Sequence, residues 1–226
     1  MVQNNQFTIK EAQAVFESAK KQPHINYSLL ILEKCLNTYS IDELFMSFNG
    51  GKDCTVILHL TSALLKMKEE SKPLTCLYVR DDPFPEVDEF VNKATRYYGI
   101  KVLTKKKPIK AAVEALLNEN KDLKASLMGT RRDDPGSQSL EPFKYTDPSW
   151  PKIMRVNPIL DWSYSQVWQF ILEHQVPYCS LYDQGYSSLG DRNKTVPNPL
   201  LKDPDNPSRY LPAYMLIDES TERHGR

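Results

Sequence analysis

Cysteine is scarce and poorly spaced for chemistry. The four cysteines, Cys35, Cys54, Cys76 and Cys179, stand far apart and form no C-x-x-C pair, which disfavours zinc and thioredoxin-type redox work and fits a reducing compartment. None of the four histidines (His24, His59, His174, His224) has a partner at metal-ligand spacing, and no Ser-His-Asp pattern is present to support nucleophilic catalysis. His59, between Leu58 and Leu60, reads as structural. Charge of one sign is lacking as well: Lys plus Arg and Asp plus Glu number 29 each, so no overall field draws in nucleic acid or an anionic membrane. The run Lys105-Lys106-Lys107 reads as a solvated strand end. No apolar stretch approaches a membrane span, and the N-terminus, with Asn4, Asn5 and Gln6 before Lys10 and Glu11, resembles neither a signal peptide nor an arginine-rich transit sequence. The chain is expected to be cytoplasmic and monomeric, without nucleic-acid or membrane partners. Its 226 residues suffice for one domain with an ordinary core.

What the chain does possess is a glycine pair in an informative place. Ser47-Phe48-Asn49-Gly50-Gly51-Lys52-Asp53-Cys54 follows a short apolar run (Leu44, Phe45, Met46) and precedes Val56, Ile57, Leu60, Leu64 and Met67 at helical spacing. The pattern predicts strand, loop, helix. Residues without a Cβ let the backbone turn sharply and approach a ligand, and the helix behind them offers unpaired N–H groups and a partial positive charge to an anion. Lys52 is expected to add a mobile full charge at the rim. Ser47 and Asn49 add neutral polar groups, and the set suits a polyphosphate better than a lone carboxylate. This is not a Walker A loop, which needs glycine where Met46 stands and a magnesium-holding hydroxyl where Asp53 stands. A carboxylate beside phosphates is repelled unless a cation lies between them, so Asp53 predicts Mg²⁺.

Around the loop, strands and helices alternate. Thr8 and Glu11 form a capping-box pattern for a first helix with Ile9, Ala12, Phe16 and Ala19 on one face, ending near Pro23. A second, about 27–39, is apolar nearly all round and is expected to be buried. Further strands are predicted at 74–79, 100–104 and 125–128, separated by a helix striped with Val87, Phe90, Val91, Ala94 and Tyr98 and by one starting at Pro108. The alternation predicts an α/β fold, a parallel sheet with helices on both faces and ligands beyond the carboxyl ends of its strands. The Gly-Gly loop, 81–86 and 129–135 all leave those ends. Together they would gather glycines, one lysine, two arginines and several carboxylates, a set that handles phosphate with a metal ion. Asp81 and Asp133 read as turn residues or caps. Beyond Gly136 the texture changes: eleven of the sixteen prolines follow residue 130, and one helix is predicted, about 163–174. This irregular, Pro-rich segment is expected to wrap the sheet and complete a pocket. Trp150, between Pro148 and Pro151 and near Asp147 and Arg155, suits either a flat aromatic wall or ordinary packing.

The loop Ser47 to Cys54 resembles the PP-loop of ATP pyrophosphatases, which split ATP between its α and β phosphates. Phe84-Pro85-Glu86, Asn157-Pro158-Ile159-Leu160-Asp161-Trp162 with Val167-Trp168, and Leu181-Tyr182-Asp183-Gln184-Gly185-Tyr186-Ser187-Ser188-Leu189-Gly190 with Thr195 are similar to the branch containing phosphoadenylylsulfate reductases. From about residue 44 onward the chain more closely resembles the eukaryotic type of FAD synthase, an FMN adenylyltransferase on this fold. The residues that carry this resemblance are Asn49, Asp82-Pro83-Phe84-Pro85-Glu86, Gly129 to Pro135, Thr146-Asp147 with Trp150-Pro151, Pro197-Asn198-Pro199, and Glu222-Arg223 with Gly225-Arg226. A reductase would need a cysteine near its C-terminus, and none follows Cys179.

The resemblance implies ATP and FMN as substrates, Mg²⁺ as cofactor, and FAD with pyrophosphate as products. It implies ATP binding by Ser47, Asn49, Gly50, Gly51, Lys52, Asp53, Arg223 and Arg226, and catalytic roles for Asn49, Lys52, Asp53 and Asp134, with Asp53 and Asp134 also holding the metal. Glu86, Arg131, Asp147, Trp150 and Arg155 would bind the flavin. A single domain, 1–226, then divides into N-terminal helices (1–40), a nucleotide-binding core (41–135) and a flavin-pocket and C-terminal segment (136–226). Two alternatives stay open: adenylylation of another acceptor such as sulfate, and nucleotide binding without chemistry.

Overall fold

A computed structural model describes residues 6–106 and 108–226; Asn4, Asn5 and Lys107, which entered the readings of the N-terminus and the lysine run, lie outside the described residues. Helix α1 (Ile9–Ala19) carries the expected capping box, Thr8 with Glu11. Helix α2 spans Pro23–Thr38 and so begins earlier than the expected 27, because Pro23 occupies its first turn, where a missing N–H breaks no helical bond. It is also less buried than its composition implied: Ile25, Leu29, Ile31, Leu32 and Cys35 are inside, but Leu30 is 54% exposed. Helix α3 (Lys52–Met67) is the most deeply set, with a buried run from Cys54 to Thr61. Helix α4 (Pro85–Tyr98) stops at Gly99, α5 is Ile109–Glu119, and α6 (Tyr164–Glu173) starts on a capping box of Ser163 and Gln166. No helix among the described residues is long and apolar enough to cross a membrane.

The strands are β1 (Leu44–Ser47), β2 (Thr75–Arg80), β3 (Lys101–Lys106), β4 (Ala125–Leu127), β5 (Phe143–Tyr145) and β6 (Met154–Val156). They form one sheet in the order β3-β2-β1-β4-β6-β5. Neighbours run parallel except β5, which pairs antiparallel with β6. Alternation along the strands feeds two cores. Leu44, Met46, Cys76 and Tyr78 face one that includes residues of α1 to α4 and α6, while Phe45 and Leu77 face a smaller one with Val113 and Leu116 of α5. The predicted parallel sheet with helices on both faces is present. Strands β5 and β6 were not anticipated. Each is three residues long, and Lys144 and Arg155 at their centres interrupt any apolar run.

The topology places the site. The chain moves from β1 outwards through α3, β2, α4 and β3, then returns through α5 to β4 on the other side of β1. The strand order therefore reverses between β1 and β4, and a crevice opens beyond their carboxyl ends. The Gly-Gly loop leaves β1 at that point.

Candidate active site

The loop from β1 to α3 is shaped by its own backbone. Gly50 has φ +74°, a left-handed conformation that L side chains rarely adopt, and a Cβ there would also press on Val87 at 3.2 Å. Asn49 Oδ1 accepts the Gly51 N–H at 3.0 Å and lies at the same distance from Cys54 Sγ, which ties the loop to the first turn of α3. The Lys52 N–H donates to the Tyr182 hydroxyl at 2.8 Å. Gly129, at the end of β4, lets the next loop press against α3: a Cβ there would stand 2.8 Å from the Cys54 nitrogen.

Lys52 does not sit as a mobile charge at the rim. Its side chain is 2% exposed, with Nζ 2.9 Å from Asp53 Oδ2 and 2.5 Å from Glu222 Oε1 and lying over the Tyr164 ring at 5.1 Å. Asp53 Oδ1 in turn takes Arg131 Nε at 2.7 Å, and Arg131 Nη2 closes the circuit on Glu222 Oε2. Four charges of alternating sign thus form a ring, drawn from α3, the loop after β4 and the tail. Burial would raise the Asp53 carboxyl, but Lys52 and Arg131 outweigh it and hold the group below the usual carboxylate range. Burial pulls Arg131 down, and Asp53 and Glu222 more than reverse that. A compensated ring is how charges persist where they are largely withdrawn from water.

Next to the ring, Asp134 accepts the Arg131 N–H at 2.9 Å and Arg223 Nη2 at 2.5 Å, and Arg226 Nη1 reaches the Ser188 hydroxyl at 3.1 Å. Ser47, Asn49, Gly51, Lys52, Asp53, Asp134, Arg223 and Arg226 all line one cleft of about 470 Å³. Gly50 is turned away from it into the core. Glu86, in the first turn of α4, Arg131, Asp147, Trp150 and Arg155 are not among its lining residues. Asp147 and Trp150 lie in the connection from β5 to β6, where the Trp150 N–H meets the Asp147 carbonyl at 2.9 Å. Because β6 runs parallel to β4, that connection is at the amino end of β6, away from the phosphate loop. Arg155 lies between them in the middle of β6, opposite Ser126. Its Nε is buried without a hydrogen-bond partner.

Sequence reasoning gave no role to Glu222 or Tyr182. Both stood inside motifs that carried the family resemblance, and that was the available signal. As for a metal, no group of three or more His, Cys, Asp or Glu is assembled among the described residues. Asp53 has both oxygens in ion pairs, and Asp134 has one on Arg223 and one on a backbone N–H. Such a donor set fits Mg²⁺ only where substrate phosphates supply the remaining oxygens, which is its usual mode.

Comparison with known proteins decides the family. Residues 43–197 match the phosphoadenosine phosphosulfate reductase domain. Over 212 residues the chain is 44% identical to the probable FAD synthase of Schizosaccharomyces pombe, covering 91% of this chain and 79% of that protein. The chain belongs to the FAD synthase family. The probable FAD synthase of Caenorhabditis elegans is 40% identical over 209 residues, covering 89% of this chain and 40% of that protein, so the chain spans about two fifths of that relative. Among solved structures, Candida glabrata FMN adenylyltransferase in complex with FMN and the ATP analogue AMPCPP superposes with a TM-score of 0.84 at 28% identity, covering 92% of this chain and 90% of that one. Its complex with FAD and pyrophosphate gives 0.84 at 27% identity over the same shares.

Proposed function

We propose that this FAD synthase family member transfers AMP from ATP to the phosphate of FMN, giving FAD and pyrophosphate. The observation that carries the reading is one cleft at the β1/β4 switch in which the phosphate loop, Asp134, Arg223 and Arg226 meet. An oxygen of the FMN phosphate attacks the α-phosphorus in line; the bond from that phosphorus to the bridging oxygen breaks, and pyrophosphate leaves with the electron pair. Two anions must approach, so the protein's work is alignment and charge neutralisation, and no covalent enzyme intermediate is required. Asn49, Gly51 and Arg226 hold the leaving phosphates, while the ring keeps Lys52 and Asp53 fixed at the start of α3. Mg²⁺, when bound, adds positive charge beside Asp134 and the phosphates.

The flavin is assigned to the strip of sheet that runs from this cleft along β4 and β6. Met154 and Val156 face the main core, so Arg155 between them faces the other side, where α5 packs over β2 and β3. At roughly 3.3 Å per residue the strip is about 10 Å long. A ribityl chain and ring system leaving the cleft cover that distance and arrive at Asp147 and Trp150. Arg155 then finds a partner for its buried Nε. The same reading keeps the protein cytoplasmic and monomeric, with small molecules as its partners.

The test is purified protein with ATP, Mg²⁺ and FMN, with FAD and pyrophosphate quantified against controls lacking FMN. Equal amounts of both products are expected. Pyrophosphate without FAD would overturn the acceptor, and bound ATP with neither product would overturn the reaction.

A further inference from the structure

Glu222 reaches the ring across 170 residues of sequence, and the reaction as described uses it only to hold the start of α3. Its two carboxylate oxygens separate two cations, Lys52 from α3 and Arg131 from the loop after β4. Its main chain is equally fixed. The Glu222 carbonyl accepts the Ser187 hydroxyl at 2.7 Å, the Thr221 carbonyl accepts the Asn198 side-chain amide at 2.9 Å, and the Gly225 carbonyl accepts the Val196 N–H at 2.8 Å. Glu222 is therefore a seated anchor, not a loose carboxylate competing for the lysine.

What it anchors is the pair of arginines that follow. Arg223 meets Asp134 one residue on, and the Arg226 N–H then turns back onto the Arg223 carbonyl at 3.0 Å. That turn brings the Arg226 guanidinium across Gly190, beside the Ser188 hydroxyl. Both arginines face the cleft. In formal charges the ring sums to zero, so its net pull on a polyphosphate is small, and Arg223 is balanced by Asp134. Attraction for the phosphates then depends on where Arg226 stands relative to the loop, and Glu222 is the point of the tail tied directly to that loop through Lys52.

We infer that Glu222 is a positioning residue for adenylyl transfer: by clasping Lys52 and Arg131 it sets the register of residues 222–226 against the phosphate loop and so places Arg223 and Arg226 over the phosphates of ATP. The inference rests on the ATP-binding reading above. It concerns binding of the nucleotide, whatever the acceptor.

The experiment is a double-mutant cycle on binding. α,β-Methylene-ATP with Mg²⁺ is titrated calorimetrically into wild type, Glu222→Gln, Arg226→Ala and the double variant, alongside steady-state FAD formation. If Glu222 acts through Arg226, each single variant weakens the analogue about tenfold and the double also weakens it about tenfold, not by the hundredfold product of independent sites. The KM for FMN stays within about twofold of wild type, which a general loosening of the fold would not allow. Wild-type or tighter binding by Glu222→Gln, or the full product in the double variant, overturns the inference. Melting temperatures show whether each variant folds. Should Glu222→Gln fail to fold, Glu222→Asp decides, because it keeps the charge on a shorter stem: a rise of about threefold in the KM for ATP alone supports the inference, and equal shifts for both substrates overturn it. If wild type binds the analogue yet makes no FAD, the proposed reaction falls while the cycle still judges Glu222.

Discussion

Helix α3 buries ionisable groups at two levels and keeps them in opposite charge states. At its start, Lys52 and Asp53 stay charged because Arg131 and Glu222 complete the ring around them. Two turns further on, His59 is fully buried among aromatic rings, with Phe7 4.9 Å and Phe170 5.6 Å away between centroids. Its Nδ1 lies 2.9 Å from the Tyr98 hydroxyl, and its Nε2 has no partner. Burial, with His174 nearby, pushes its pKa down to about 3, so the ring is neutral. One helix thus gives opposite outcomes, and the geometry of partners decides which. Arg155 is intermediate, with its Nε buried and without a hydrogen-bond partner.

Breaking the ring is expected to have the largest effect. Lys52→Ala leaves Asp53 and Glu222 with Arg131 as the one cation of the ring between them, and truncating one member of a buried pair typically costs about 3–5 kcal/mol. The folded fraction is also expected to turn over roughly a hundredfold more slowly, the scale of a small misplacement of the reacting groups once the ring no longer fixes the start of α3. Denaturant unfolding and kcat for FAD formation check both, and wild-type turnover would remove Lys52 from the mechanism.

The neutral level responds to acid instead. The folded pKa of His59 lies below its unfolded value of 6.5, so the unfolded state binds more protons once the pH drops below about 6.5. Stability is fully present above that value and is lost as pH falls towards 3. Between pH 7 and pH 5 the loss from this one group is about 2 kcal/mol. His24 and His174, also lowered by burial, add to it with the same sign. Melting temperatures across this range, with and without His59→Leu, measure it; a variant with an unchanged acid limb would break the contrast.

The intermediate case is expected to give the smallest effect. Arg155→Ala or Trp150→Ala should raise the KM for FMN about tenfold, the loss of one good contact, and leave the KM for ATP unchanged. A shift in the ATP constant instead would move the flavin off the β4–β6 strip.

The contrast also explains how much the residues disclosed in advance. Strands β1 to β4 and helices α3 to α6 were legible because each is a continuous run with a clear period and a stop such as Gly99. The phosphate loop was legible because its parts are adjacent in the chain. The ring was not: Arg131 is 78 residues from Asp53 and 91 from Glu222, so no local pattern shows that Lys52 is neutralised. Nor was the place of Trp150 and Asp147, because β5 and β6, too short for a periodic signal, decide which end of the sheet their connection occupies.

Those separations have a kinetic consequence. A ring whose members join α3 to residues 78 and 170 positions away requires loop closures that come late in folding. Its contacts are expected to be largely absent from the transition state, so a defect in the ring shows itself as faster unfolding, with the folding rate nearly unchanged. A protein damaged there still reaches its native state on time and leaves it too soon.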